Sequence, residues 1–302
     1  MRVLVVGFGS IGGRHARLLA GLGHEVACLT RNPDCPHPVF ASAEAAQAAF
    51  RPEAAVVATA TADHQSALES LARAGFRGRV LVEKPLFHRA DLEIPAGPGP
   101  VFVGYNLRFH PLVPRLRELL RDRRILSIQA YVGQHLSLWR PGRDFRQCYS
   151  AHRDQGGGVL RDLSHELDLV QLLAGPWSRV AAVLGTFGDL GIESEDTACL
   201  LLEAAGCPAA TIQLNYLDPR GRREILILAQ GLSLKADFVA GILETPEGVE
   251  RFAAERDTTY LAQAQAFVGD CAGLCTLGEA GQTLALIDAA EQAARDGRWV
   301  CA

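Results

Sequence analysis

The sequence predicts an α/β protein in two parts: a parallel sheet with helices, then an α+β region with a mainly antiparallel open sheet. Three observations carry this reading. At 302 residues the chain exceeds the size at which single cores usually stop growing, about 250 to 300 residues. Over the first hundred residues, short β-rich runs alternate with helical spacing, the pattern of βαβ units. After about residue 120, strand-like runs follow one another mostly without helices between them.

In the first part, strands are expected at Val3–Val6, Glu25–Leu29, Ala55–Ala58, Val80–Glu83 and Val101–Gly104. Ile11, His15, Leu18, Leu19 and Leu22 repeat at helical spacing, as do Leu68, Leu71 and Ala72. The Pro- and Gly-rich stretch 91–100 reads as a surface loop replacing the helix that usually joins the fourth and fifth strands. In the second part, strands are expected at Ile125–Val132, Arg179–Phe187, Thr197–Glu203, Ala209–Tyr216, Arg223–Ala229 and Leu232–Phe238. A helix near Val159–Leu173 precedes most of them. Helices at Tyr260–Leu274 and Glu279–Arg295 close the chain, with Gly297 as a stop signal. The alternating charges of Val249–Thr259 read as a solvated face. The boundary is set at about residue 118, giving domains 1–118 and 119–302.

Composition narrows the function. The chain is 48% hydrophobic and 21% charged, as globular proteins are, and its net charge of −4 carries no footprint for nucleic acid. No apolar run approaches the roughly 20 residues that span a bilayer, so no membrane partner is expected. The N-terminus reads as a first strand and not as a signal peptide. Eight cysteines without a Cys-x-x-Cys pair, and without histidines at zinc spacing, read as reduced thiols of a cytoplasmic protein with no metal site.

Gly7-Phe8-Gly9-Ser10-Ile11-Gly12 fits G-x-G-x-x-G, follows an expected strand and opens a helix. Gly7 permits the tight turn, Gly9 lets backbone approach a pyrophosphate, and Gly12 allows close helix-to-strand packing. The end of the second strand, where an acidic residue would bond the ribose of NAD, carries Thr30-Arg31-Asn32. A hydroxyl and a guanidinium suit a 2′-phosphate, so NADP is the expected cofactor, with NAD possible; the alternative is a solvated Arg31.

Three further segments carry a resemblance: Thr59-Ala60-Thr61-Ala62-Asp63-His64, Val80-Leu81-Val82-Glu83-Lys84-Pro85-Leu86, and Gly104-Tyr105-Asn106-Leu107-Arg108-Phe109-His110-Pro111. Together they resemble successive signatures of the Gfo/Idh/MocA (glucose-fructose oxidoreductase and inositol dehydrogenase) family. Glu83-Lys84-Pro85 is the most specific of them, and the likeness continues through Gly156–Asp162 to the closing helix. The resemblance implies a Rossmann domain that binds a nicotinamide cofactor, sugar-like substrates, and a second domain whose open sheet mediates homo-oligomers, dimers or tetramers. It implies cofactor contacts from Thr59, His64, Glu83 and Lys84, and substrate contacts from Tyr105, Asn106 and Arg108. His64 either touches the cofactor or packs at the strand-to-helix junction. Position supports Lys84 independently: it stands at the carboxyl end of a parallel strand, where open α/β sheets bind ligands, and a cation there can polarise a substrate oxygen.

Asp162, His165 and Glu166 fall three and four apart on the expected helix and share one face there. His165 suits the proton transfer that accompanies hydride transfer, with Asp162 orienting it. The family's usual histidine stands four residues after the aspartate, where this chain has Glu166. Ser-His-Glu here, with Trp139-Arg140-Pro141 and Tyr149-Ser150-Ala151, is similar to a branch encoded with sugar-nucleotide and nonulosonate-type biosynthesis. Between Gly133 and Gly158, Trp139, Arg140, Arg143, Arg146 and Arg153 form either a grip for an anionic sugar or a solvated basic loop. The expected activity is an NADP-dependent oxidoreductase acting on a hydroxyl or keto group of a sugar. Lys84, Asp162 and His165 are its catalytic set. An imine or conjugated double-bond reductase and a non-catalytic cofactor-binding regulator are the alternatives.

Overall fold

The computed structural model describes residues 1–139, 142 and 144–302, without the side chain of Asp154. The chain divides into two compact units: residues 1–109 with 256–281, and residues 110–255 with 282–302. The division falls just before the helix Leu112–Leu120, which contains the expected boundary at 118. The segment 256–281 returns to the first unit.

In the first unit, six parallel strands lie in the order Val39–Phe40, Glu25–Leu29, Arg2–Val6, Ala54–Val57, Arg79–Val82, Val101–Val103. Val3 pairs with Val26 on one side and Ala54 on the other. The strand order reverses between Arg2–Val6 and Ala54–Val57, and a crevice opens at the carboxyl ends of such a pair. Val3, Leu4, Val5, Ala54, Ala55, Val56, Val57, Val80, Leu81 and Val82 are fully buried, as strands covered on both faces require. The 91–100 stretch has no helix, and Arg77 and Gly78 tether it at the carbonyl of Gly97 and the N–H of Gly99.

The returning segment completes this unit. Cys275–Thr276 adds an antiparallel edge beside Val101–Val103. The helix Thr258–Val268 packs Ala264 and Phe267 into the core, and Arg79 donates to the carbonyls of Phe267 and Gly269 at 2.9 and 2.7 Å, capping the helix end. That helix stops six residues before the expected Leu274, because Gly269 ends it and Cys271 takes a left-handed backbone. Asp257 pairs with Arg14 and Arg17, so the stretch read as a solvated face is partly anchored.

The second unit holds a nine-stranded sheet, antiparallel except where Ile125–Gly133 runs parallel to Cys207–Asn215. Leu200, Leu202, Ile212, Leu214, Ile225 and Ile227 are buried, while Val183, Leu201, Leu226 and Leu228 on the other face are exposed. This is the alternation of a sheet covered on one side. Two edge strands that the periodicity does not announce, Ile242–Thr245 and Gly248–Arg251, extend it. Among the described residues no helix is long and apolar enough to cross a membrane.

Candidate functional site

The first unit gathers its polar groups at the carboxyl ends of its parallel strands. Gly7 takes a left-handed φ of +91°, and a Cβ there would lie 2.7 Å from the Ala58 carbonyl oxygen. A Cβ on Gly12 would overlap the Gly7 carbonyl, so both glycines are required by the turn itself. Gly9 differs: nothing lies within 4 Å of its Cβ position, and its surroundings are open to a ligand. Phe8 is half-buried, Ser10 is exposed, and the helix Ser10–Gly21 has no acidic residue in its first turn. Ser10, Ile11 and Gly12 therefore offer N–H groups to an anion without a competing carboxylate.

Two orphaned groups lie on the adjoining strand end. The His64 imidazole is buried, which holds it below its ordinary range and neutral. Its Nδ1 donates to the Leu86 carbonyl at 3.0 Å, leaving Nε2 a buried acceptor with no partner among the described residues. Thr59 Oγ1 is likewise buried and unpartnered. Half-buried Lys84 precedes Pro85 through a cis peptide. At the second strand's end, Thr30 Oγ1 accepts from the Asn32 N–H at 3.0 Å. Arg31 is exposed and has no ion pair or hydrogen bond among the described residues.

Four residues expected to touch a ligand have these surroundings within this unit. Glu83 turns inward, where Oε1 meets His15 Nε2 at 2.8 Å and Oε2 accepts from the Lys84 N–H at 3.3 Å. Tyr105 is fully buried, Asn106 donates to Thr259 Oγ1 at 2.7 Å, and Arg108 pairs with Glu279 at 2.8 Å. The side-chain partners His15, Thr259 and Glu279 lie more than 60 residues away along the chain, which local spacing does not reveal.

In the second unit, the expected single helix breaks at Leu163 and Ser164 into Val159–Asp162 and His165–Ala174. Asp162, His165 and Glu166 therefore do not line one continuous helix face. Asp162 is buried, and its two oxygens accept from Tyr149 and Tyr216 hydroxyls at 2.8 and 2.7 Å. Burial and the Asp162 charge push the Tyr216 phenol well above its ordinary range, so it stays a donor. Glu166 is buried and pairs with Arg223 at 2.7 Å, whereas His165 is half-buried. Nothing local in the sequence links Tyr216 to Asp162 or Arg223 to Glu166.

The glycine run before Asp162 has a steric cause. Gly158 takes φ +119° and a Cβ there would overlap the Glu195 carboxylate, while one on Gly157 would overlap the Tyr149 carbonyl. Of the arginine-rich stretch, Arg146 donates to the Leu190 carbonyl at 3.0 Å and Arg153 lies 3.8 Å from Glu195. Trp139 meets the Tyr216 ring edge-on at 5.3 Å. Arg140 and Arg143 lie outside the described residues.

Comparisons with known proteins agree with this fold. Residues 1–93 match an oxidoreductase family with an NAD-binding Rossmann fold, and residues 113–233 match the GFO/IDH/MocA C-terminal domain. Inositol 2-dehydrogenase of Rhizobium meliloti (strain 1021) is 27% identical over 234 residues, covering 70% of this chain and 68% of that one. Among solved structures, GenD2 from gentamicin A biosynthesis, in complex with NAD, superposes with a TM-score of 0.82 at 24% identity. That match spans 100% of this chain and 96% of GenD2. The WlbA dehydrogenase of Bordetella pertussis, in complex with NADH and UDP-GlcNAcA, gives 0.79 at 24% identity, spanning 100% and 98%.

The two kinds of glycine separate in experiment. Gly12→Ala should lower the thermal midpoint, because backbone must move to admit the methyl group. Gly9→Ala should leave the midpoint within about 2 °C, a shift of about 1 kcal/mol or less, yet weaken dinucleotide binding at least tenfold. Calorimetric melting and fluorescence titration check both.

Proposed function

Because the chain belongs to the Gfo/Idh/MocA family of oxidoreductases, we propose that it is an NADP-dependent enzyme moving a hydride to or from a hydroxyl or keto carbon of a sugar or sugar derivative. The observation that carries the cofactor reading is the cradle in the first unit: open space at Gly9 beside two turn-forming glycines, with the orphaned Thr59 Oγ1 and His64 Nε2 on the next strand end. Gly7 to Gly12 would hold the pyrophosphate, and Thr59 and His64 would complete the cofactor contacts. When bound, the dinucleotide supplies or accepts the hydride.

Thr30 and exposed Arg31, free of any acidic partner, support NADP over NAD. Lys84 donates to the substrate oxygen on the reacting carbon and stabilises its negative charge as the bond order changes. His165 moves the proton. What supports His165 over Glu166 is that the buried Glu166 carboxylate is already paired with Arg223 at 2.7 Å. Asp162, held by two phenols, supports the proton transfer. Trp139 stacks on the sugar, and Arg140 and Arg143 hold an anionic substituent. The inositol dehydrogenase relative and the UDP-sugar of the WlbA complex make cyclitols and acidic sugar nucleotides the first substrates to try. The exposed face at Val183, Leu201, Leu226 and Leu228 is assigned to self-association in a dimer or tetramer. Free cysteines fit the cytoplasm.

Consumption of NADPH against a panel of keto sugars, with imines as the competing class, tests the activity; turnover of imines alone would overturn the sugar reading. Arg31→Asp should raise the NADPH dissociation constant about 10-fold or more, the loss of charge-assisted bonds to phosphate, and change that of NADH much less. Equal binding of the two dinucleotides by the unaltered protein would contradict the NADP assignment. His165→Ala should lower kcat about 10² or more with cofactor affinity kept, whereas Glu166→Gln should be milder. The reverse ranking would move the proton to Glu166.

A further inference from the structure

We propose that His15 is a positioning residue for Lys84: its imidazole holds the Glu83 carboxylate, the carboxylate holds the Lys84 backbone, and the lysine is aimed from the glycine-rich helix. The catalytic consequence rests on the role given to Lys84 above; the positioning itself rests on geometry within the first unit.

His15 comes from the helix Ser10–Gly21 and is fully buried. Its Nε2 lies 2.8 Å from Glu83 Oε1, and Glu83 Oε2 accepts from the Lys84 N–H at 3.3 Å. One carboxylate therefore bridges the helix and the residue that carries the ammonium group. The neighbouring strand end leaves room for that bridge: a Cβ on Gly104 would lie 3.1 Å from Glu83 Oε1 and 3.2 Å from its carboxyl carbon. Any larger residue there would press on the carboxylate. Backbone bonds fix the frame around it, with the Glu83 N–H on the Val57 carbonyl at 2.9 Å and the Gly104 N–H on the Val82 carbonyl at 2.7 Å.

Packing alone does not account for an imidazole at this place. His15 Nδ1 is buried with no hydrogen-bond partner among the described residues, a cost that an apolar side chain such as leucine would avoid. What histidine adds is the Nε2–H donor. Burial pushes the Glu83 carboxyl up, yet the His15 hydrogen bond, foremost among the opposing effects, helps hold it below the usual range, so both oxygens stay acceptors. From the returning segment, the Tyr260 ring abuts the imidazole edge-on at 5.7 Å. Without the Nε2 donor, the Glu83 carboxylate is a buried charge short of one partner, and it turns away to find another. Lys84 then loses the fixed acceptor of its N–H, and a misplacement of about 1 Å at a reacting group can cost roughly 10² in rate.

Lys84 and Lys235 are the two lysines of the chain, which makes the first one easy to watch. NMR of protein labelled on lysine nitrogen should show one backbone amide signal from each, with Lys235, on the Leu232–Asp237 strand of the second unit, as the internal control. His15→Leu should move the Lys84 signal and speed its hydrogen exchange at least tenfold, with Lys235 unchanged. His15→Gln, whose amide nitrogen stands as many bonds from Cα as the imidazole Nε2, should restore both readouts. Should leucine prevent folding, His15→Asn, whose donor falls one bond short, takes its place in the comparison. With the keto sugar that is reduced fastest, His15→Leu should lower kcat per NADPH-binding site at least tenfold while KM stays within about threefold, and His15→Gln should regain most of the loss. A Lys84 signal and exchange rate unmoved by leucine or asparagine, or moved as far by glutamine, would overturn the positioning; a moved signal with kcat unchanged would overturn its bearing on catalysis. If the unaltered protein reduces no sugar, the activity reading fails instead, and the NMR comparison still decides whether His15 positions Lys84.

Discussion

The buried contact between His15 and Glu83 is the constraint on which the first unit depends. His15 stands one turn into the helix that opens at the glycine-rich turn, and Glu83 ends the strand that delivers Lys84; their 2.8 Å contact ties the two together. Burial alone would push the Glu83 carboxyl up, but the hydrogen bond and charge of His15, with Lys84 adding to them, hold it below the usual range. Removing either partner would strand a buried polar group, which is why such pairs are costly to break. The His15 ring also meets Tyr260 edge-on at 5.7 Å. The Arg14 guanidinium sits 4.7 Å above the Tyr260 ring and reaches Asp257 at 3.3 Å. The returning segment is thus fastened to the same helix, and the cradle is braced from behind.

The second unit uses the same device with different chemistry. Asp162 lies at the end of a single helical turn, and two phenols occupy its oxygens; Tyr216 comes from the end of a central strand and Tyr149 from the long segment after Gly133. Burial pushes the Glu195 carboxyl up, and its contact with the Leu160 N–H fixes the start of that turn. Glu166 is neutralised in place by Arg223. A carboxylate with both oxygens engaged, and a neighbouring one with its own cation, leave His165 as the half-exposed titratable group of the short motif.

Much of this was legible in the sequence where the physics is local. The glycine spacing, the strand alternation and the loop at 91–100 follow from backbone sterics and periodicity, and the structure has them. What was not legible depends on contacts distant along the chain. Glu83 faces His15 from 68 positions away, and Asp162 meets Tyr216 from 54. The helix break at Leu163 and Ser164 has no signal in the sequence, since neither residue is a strong breaker. The two-residue strands Val39–Phe40 and Cys275–Thr276 are too short to show a period.

The proposed activity is hydride transfer between a nicotinamide, held in the cradle that His15 and Glu83 brace, and a sugar carbon. Its most direct test is isotopic: incubate the protein with NADPH carrying deuterium at the transferable position of the nicotinamide and with keto forms of cyclitols and sugar nucleotides, then locate the label by mass spectrometry. One deuterium is expected on the new carbinol carbon of at least one product, and its loss when Lys84 is replaced by methionine. Tight NADPH binding with no label transferred to any of these compounds would contradict it.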